Sequence, residues 1–283
     1  MPHRQAVPLQ VSEASRLPFD GKPGLLSDER VAPARGQHLQ VLAATLPFAA
    51  WPESALERLI GGASLSAHAR GDLIHAGGAE IAAATLVVDG VVQASVAAAG
   101  GRRVIFEIFR GASVHGLLPL LDGRAMPNDL IAIEPTTTLA IPFAAIRDEL
   151  ALAPTLWQTL CEAAVQRARR YAEQMMQFLF DAPRVRIAAA LLGLAQGGAQ
   201  ATDGSVVVGM RLPQERMAEM IGLSRQWATS LVRELSEAGL IEWRYGQVTL
   251  LDPTALRSIA LESINASMQA RGATEVPPPA STR

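Results

Sequence analysis

Between Leu212 and Leu235 the chain reads LPQERMAEMIGLSRQWATSLVREL. The side chains there with chemistry to offer are Arg225, Gln226, Thr229, Ser230 and Arg233. An arginine, an amide and small hydroxyls on one side of a helix suit base edges and phosphates. Arg225 can fork onto the O6 and N7 of guanine, and Gln226 can pair with adenine or reach a base through water. Thr229 and Arg233 are candidates for phosphate. Such a set works only if something holds it rigid and points it outward.

The other positions of the stretch supply that support. Trp227 or Ala228, then Leu231, Val232 and Leu235, recur at helical spacing and give a helix over Arg225–Ala238 its buried side. Ser224 is a good N-cap for it. Met217, Ala218 and Ile221 form the apolar face of a preceding helix, with Pro213 in its first turn. Gly222 stands where that helix must stop, because a left-handed residue is cheapest without a Cβ. Ala218 lets the two helices cross closely, and Leu223 plugs the angle between them. This is a helix-turn-helix pattern, although an ordinary helical hairpin stays open on these residues alone. The next residues favour the former. Gly239 ends the second helix, 240–243 is an apolar strand, Arg244–Gln247 is a turn containing Gly246, and 248–251 is a second strand. A helix-turn-helix followed by a short hairpin is a winged helix, with Arg244 and Gln247 as phosphate candidates on the wing.

Composition limits the alternatives. The chain has 283 residues, enough for about two domains, and 49% of them are hydrophobic against 18% charged. No uncharged apolar run approaches the roughly 18 residues a membrane helix needs, and the first residues lack the apolar core of a secretory signal. Cys161 is the only cysteine, which excludes an internal disulfide framework or a multi-cysteine metal site. A cytoplasmic protein is expected. The net charge is −2, so a DNA-binding surface must come from how charges are arranged.

Taken in order, residues 1–36 read as a disordered extension rich in Pro, Gly and Ser. From His38 to Gly61 two short helical patterns are broken by Pro47 and Pro52. From Ala63 to about Phe143 short apolar segments alternate with glycine turns. Thr85–Val96 reads as a hairpin about Asp89-Gly90, Val104–Phe109 as a buried strand, and 130–133 and 138–141 as two more. Turns about every ten residues suggest a small antiparallel sandwich or barrel. Pro154 opens a long helix in which Trp157, Cys161, Ala164, Ala168, Tyr171, Met175 and Phe178 follow alternate steps of four and three. That heptad seam favours a two-stranded coiled coil. Asp181 then caps a helix whose core side is Val185, Ile187, Ala188, Leu191, Leu192 and Leu194, with Pro183 in its first turn. Ala199–Gly204 is a loop, Val206–Met210 a short strand, Thr254–Met268 a helix, and the remaining tail disordered.

This order resembles that of the Crp/Fnr family of bacterial transcription regulators. The residues that carry the match are Gly71, Gly78, Gly90, Gly111 and Gly116, then Asp181, Arg184, Arg186, Ile187, Ala188, Leu191 and Leu192. They continue with Gln214, Ala218, Ile221–Arg225, Leu231, Leu235 and Gly239–Ile241. The fold class expected is α+β: an N-terminal antiparallel β-sandwich or jelly roll like that of cyclic-nucleotide-binding domains, a long coiled-coil dimer helix, and a C-terminal winged helix-turn-helix. The divisions are 1–36, a sensor domain over 37–150, the dimerisation helix over 151–180, the DNA-binding domain over 181–258, and a terminal helix and tail over 259–283. The resemblance implies a homodimer on a palindromic operator, with double-stranded DNA, a second copy and RNA polymerase as partners and no membrane. The readers it implies are Ser224, Arg225, Gln226 and Ser230. Ser230 replaces a longer contact, so the preferred site should differ from that of the cyclic AMP receptor. Trp227 fits a variable position and is expected to lie toward the DNA backbone rather than stack on a base.

The same resemblance places an effector pocket at Val104, Phe106, Gly116, Leu117, Arg124 and Asn128. Cyclic-nucleotide members put a glutamate next to the equivalent of Gly116 for the ribose, and Arg-Ser or Arg-Thr further on for the cyclic phosphate. Here Leu117 stands in the first place and Asn128-Asp129 near the second. A carboxylate repels a phosphate, and an apolar ribose contact leaves hydroxyls unpaired. Cyclic AMP is therefore not the expected ligand, with Arg124 a substitute only if the loop shifts. Iron–sulfur sensing needs several cysteines. No cofactor or metal is expected, and His75 and His115 read as hydrogen-bonded scaffold. Two other classes remain: a cyclic-nucleotide-binding module whose helix-turn-helix contacts protein, and a cupin-like enzyme, for which His75 and His115 lack a spaced His partner.

Overall fold

The structure is a computed structural model, and it describes residues 35–97, 103–196 and 198–261. The extension and tail expected at the two ends lie almost wholly outside those residues. The chain forms two compact units, one ending at Arg167 and the other beginning at Ala168.

In the first unit, α1 (Arg35–Ala43) and α2 (Glu53–Gly61) precede a jelly roll. Its strands are β1 (Ser64–His68), β2 (Leu73–His75), β3 (Ala83–Asp89), β4 (Val91–Ala97), β5 (Arg103–Arg110), β6 (Ser113–His115), β7 (Asp129–Ala132) and β8 (Thr136–Pro142). A short helix α3 (Leu117–Asp122) follows β6, and α4 (Phe143–Leu152) follows β8. The strands make two antiparallel sheets, ordered β1-β8-β3-β6 and β2-β7-β4-β5. Val87 from the first sheet packs with Val92 and Leu130 from the second, with Ile74 and Phe109 against them. A larger core joins α1, α2 and α4 to the first sheet through Leu42, Phe48, Leu59, Leu86, Leu139, Ile141 and Ile146. One charged group is buried beside it: Glu149 of α4 accepts both ends of the Arg58 guanidinium at 2.5 and 2.7 Å. The forked pairing satisfies both carboxylate oxygens and holds the carboxyl below its usual range.

The hairpin expected about Asp89-Gly90 does not form. β3 pairs with β6 and β8, whereas β4 pairs with β5 and β7. Asp89-Gly90 is a corner where the chain leaves one sheet for the other. Gly90 is at φ +101°, and a Cβ there would lie 2.5 Å from the Pro135 carbonyl and the Thr136 hydroxyl. Close backbone approach, and not a two-residue turn, explains the glycine. The strand expected over Val104–Phe109 forms, but only Ile105 in it is fully buried.

Helix α5 (Trp157–Phe180) spans the division between the units. In the second unit α6 (Pro183–Leu194), β9 (Ala199–Gln200) and β10 (Val206–Val207) lead to α7 (Gln214–Ile221) and α8 (Arg225–Glu237). Then come β11 (Ile241–Arg244), β12 (Gln247–Leu250) and a helix over 253–261. The small sheet is ordered β11-β12-β10-β9, so the loop expected at Ala199 carries a two-residue strand and the strand expected over Val206–Met210 is shorter. The N-cap of α6 is Ala182, not Asp181, and makes no side-chain cap bond. Pro213 is the N-cap of α7 and not in its first turn.

Candidate nucleic-acid interface

The buried side of α8 is Ala228, Leu231, Val232 and Leu235, packed in the second unit with Met217, Ala218 and Ile221 of α7. Ala228 and not Trp227 takes the first core position. Ser224 caps the helix, its Oγ accepting the Trp227 N–H at 3.3 Å. Gly222 ends α7 at φ +67°, and its left-handed turn directs the chain into α8. Arg186 of α6 donates to the Ile221 carbonyl at 2.8 Å, closing a chain end that α7 leaves open. Arg184 of α6 reaches Glu234 of α8 at 3.3 Å. A three-helix unit thus fixes the direction of the first turn of α8.

On the outward side Ser224, Arg225, Gln226, Thr229, Ser230 and Arg233 are all exposed. They differ in how they are held. The Thr229 hydroxyl donates to the Gln214 side-chain oxygen at 2.8 Å, which ties α8 to the start of α7. Arg233 meets Glu237 one turn on at 3.7 Å. Among the described residues Arg225 and Gln226 make no hydrogen bond or ion pair, so their donors and acceptors face outward. On the wing, Arg244 pairs with Glu242 at 2.7 Å, and Gln247 donates to the Val208 carbonyl at 2.6 Å. Gln247 is therefore a brace between the wing and β10, which weakens it as a phosphate contact. Between them the turn is Tyr245-Gly246, both at positive φ, the two-residue geometry that suits a right-twisted hairpin. Tyr245 is 97% exposed at φ +51°. Nothing in the sequence singles out that side chain beyond its place in a turn.

Along α5 the seven residues of the expected seam divide by burial. Trp157, Cys161, Ala168 and Met175 are exposed. Ala164, Tyr171 and Phe178 are half-buried. Phe178 packs on Gly222, where an added Cβ would come within 2.8 Å of its ring, and Arg186 stacks over it at 5.8 Å. It belongs to its own winged-helix unit. The exposed apolar residues one step along are Val165, Ala172 and Leu179. The open stripe thus runs Cys161, Val165, Ala168, Ala172, Met175, Leu179, again in alternate steps of four and three.

In the sandwich the expected pocket residues scatter. Val104 is opposite Val96 on the face that also carries Phe109 and Val92, and Phe106 sits at the register shift of β5. Gly116, at φ +82°, is the N-cap of α3, and Leu117 packs against the core. Arg124 is exposed, and Asn128 donates to the neighbouring Asp129 carbonyl at 2.9 Å. The Asp129 carboxylate is held by the Gly77 N–H at 2.9 Å and Arg103 at 3.1 Å. At the positions that the resemblance assigns to ribose and phosphate stand the apolar Leu117 and the fixed Asp129 carboxylate, a set that does not suit a cyclic nucleotide. What the fold does bring together is different. Arg167 of α5 lies 5.4 Å over the Phe109 ring and 3.7 Å from Glu107, and Phe109 meets the buried His115 ring edge to face at 4.3 Å. His115 bonds Ser113 and His75 bonds Thr85, at 3.1 and 2.8 Å. Burial, then the nearby cation of Arg167 and His75, push His115 well below the usual histidine range. Glu107 and Arg167 were not readable from sequence, because only the fold brings a strand and a helix sixty residues apart into contact.

Residues 185–259 match the family model described as a Crp-like helix-turn-helix domain. That segment is a Crp-like helix-turn-helix domain. The global nitrogen regulator of Synechococcus elongatus is 27% identical over 175 residues, covering 60% of this chain and 78% of that protein. A CRP-like cAMP-activated global transcriptional regulator of Mycobacterium tuberculosis is 23% identical over 171 residues, covering 60% and 76%. Among solved structures, FixK2 from Bradyrhizobium japonicum superposes with a TM-score of 0.63 at 17% identity, covering 70% of this chain and 96% of that one. The antiparallel sandwich, long helix and C-terminal helix-turn-helix share the fold of these solved structures, a Crp/Fnr-family regulator of Thermus thermophilus among them. No helix among the described residues is long and apolar enough to cross a membrane.

Proposed function

We propose that this chain regulates transcription by binding a palindromic DNA site as a homodimer, with the first turn of α8 in the major groove. The observation that carries this reading is the pair Arg225 and Gln226: exposed, unpaired among the described residues, and set by the Ser224 cap at the end of a helix that two others hold in place. A second copy covers the apolar stripe of α5 in a parallel pair. That arrangement sets two reading helices about one turn of DNA apart, roughly 34 Å. The sandwich serves as the sensor, and its effector is not a cyclic nucleotide.

Selection of bound DNA from a random pool with the full chain tests the reading. It should return an inverted repeat with half-sites about one helical turn apart. Arg225→Ala should then cost about 1–3 kcal/mol on the selected site and relax preference at one base position per half-site. A pool that shows no enrichment, or an Arg225→Ala protein indistinguishable from wild type on every operator variant, rejects it. Micromolar binding of cyclic AMP or cyclic GMP by calorimetry would instead favour a nucleotide-binding module.

A further inference from the structure

One side chain on the reading face is left over once Arg225 and Gln226 are assigned. Trp227 is 60% exposed, the largest apolar surface on α8. Its backbone N–H is bound to the Ser224 cap, so its Cα is fixed in the first turn. Among the described residues its indole has no ring contact and no hydrogen bond. Helical side chains lean toward the helix N-terminus, so the indole covers the turn at Ser224, the end that the proposed complex presents to base edges. Ser230, three residues on and beside it on the helix surface, is too short to cover the ring or to place a charge against it.

An aromatic face gains by leaving water. In the major groove the base edges are hydrogen-bond donors and acceptors, with one apolar group among them, the C5-methyl of thymine. A phosphate, the neighbour expected from the sequence, would engage only the indole N–H and leave the apolar face of the ring in water. We infer that Trp227 is a specificity-determining residue whose indole packs on the methyl group of a thymine in each half-site, beside the base read by Arg225. This rests on the DNA-reading function proposed above.

The test uses the full chain and the operator returned by selection. Each thymine is replaced in turn by deoxyuridine, which removes the methyl group and leaves the hydrogen-bonding edge intact. One thymine per half-site should weaken binding by about four-fold when so replaced, the worth of one methyl leaving water. Trp227→Ala should bind the thymine and uracil operators equally, and more weakly than wild type binds thymine. Trp227→Phe should keep part of the preference. Because the ring is exposed, the thermal unfolding of Trp227→Ala should match wild type, which separates lost contact from lost fold. The inference is overturned if no uracil position weakens wild-type binding. It is overturned equally if Trp227→Ala keeps the thymine preference, or loses affinity uniformly on all sequences as a backbone contact would. In those cases a selected inverted repeat that still depends on Arg225 leaves the DNA-reading function standing; a pool without enrichment removes both.

Discussion

Gly222 sits at φ +67° between α7 and α8, in the room left by the Phe178 ring. A methyl group there must both adopt a left-handed backbone and displace an aromatic side chain. Gly222→Ala is expected to destabilise the winged-helix unit by about 2 kcal/mol or more, read as a lower denaturant midpoint. Tyr245 poses the opposite case. It holds a left-handed conformation that asparagine tolerates far better, and its ring touches solvent on nearly every side. Tyr245→Asn should raise stability by about 1 kcal/mol in thermal unfolding. If the wing meets the duplex, the same variant should bind DNA more weakly, and the two readouts move in opposite directions. His75 makes stability depend on pH. Burial, with His68 nearby, lowers its pKa to about 4. An unfolded chain takes up that proton near the ordinary value of 6.5, so below it protons favour unfolding. The stabilisation is complete above that value and is lost as pH falls toward 4, on the order of 2 kcal/mol of it by about pH 5. Denaturant titrations at pH 7.5 and 5 should show that loss, and His75→Gln should reduce it.

At the scale of elements, legibility followed how local the deciding contacts are. The helix-turn-helix could be read residue by residue because cap, core face and turn glycine all lie within one short stretch. The corner at Gly90 could not. Asp89-Gly90 between apolar runs is the standard hairpin signal, and what overrides it is the approach of Pro135 and Thr136, far along the chain. The α5 seam lay between these cases. Two heptad series share Cys161, Ala168 and Met175, and the large aromatics at 171 and 178 point to the first of them. Gly222 and Arg186 favour the second, because they engage Phe178 within the chain's own fold. The open stripe makes a clear prediction. Ala172→Glu, on the open side of α5, should convert the proposed dimer to monomer in sedimentation and abolish operator binding while the chain stays folded. Tyr171→Glu, on the half-buried side, should instead lower stability.

At the scale of the whole molecule, the proposed parallel pair would place Cys161 beside its counterpart on the stripe. Mild copper-catalysed oxidation should give a disulfide-linked dimer on a non-reducing gel, and Cys161→Ser should not. An antiparallel pairing would leave the thiols apart and yield none. The topology of the sandwich bears on how the chain emerges from the ribosome. Strand β1 has β8 as its partner, with Ser64 opposite Ala140, so an unpaired edge must wait for more than seventy further residues to be made. The winged-helix unit closes within far shorter spans. A nascent chain stalled before β8 therefore displays a naked strand edge and half a core, the state most open to proteases and to pairing with a neighbour. Synonymous codons that slow translation while β8 is still inside the ribosome should cost soluble yield, whereas the same delay once β8 has emerged should not.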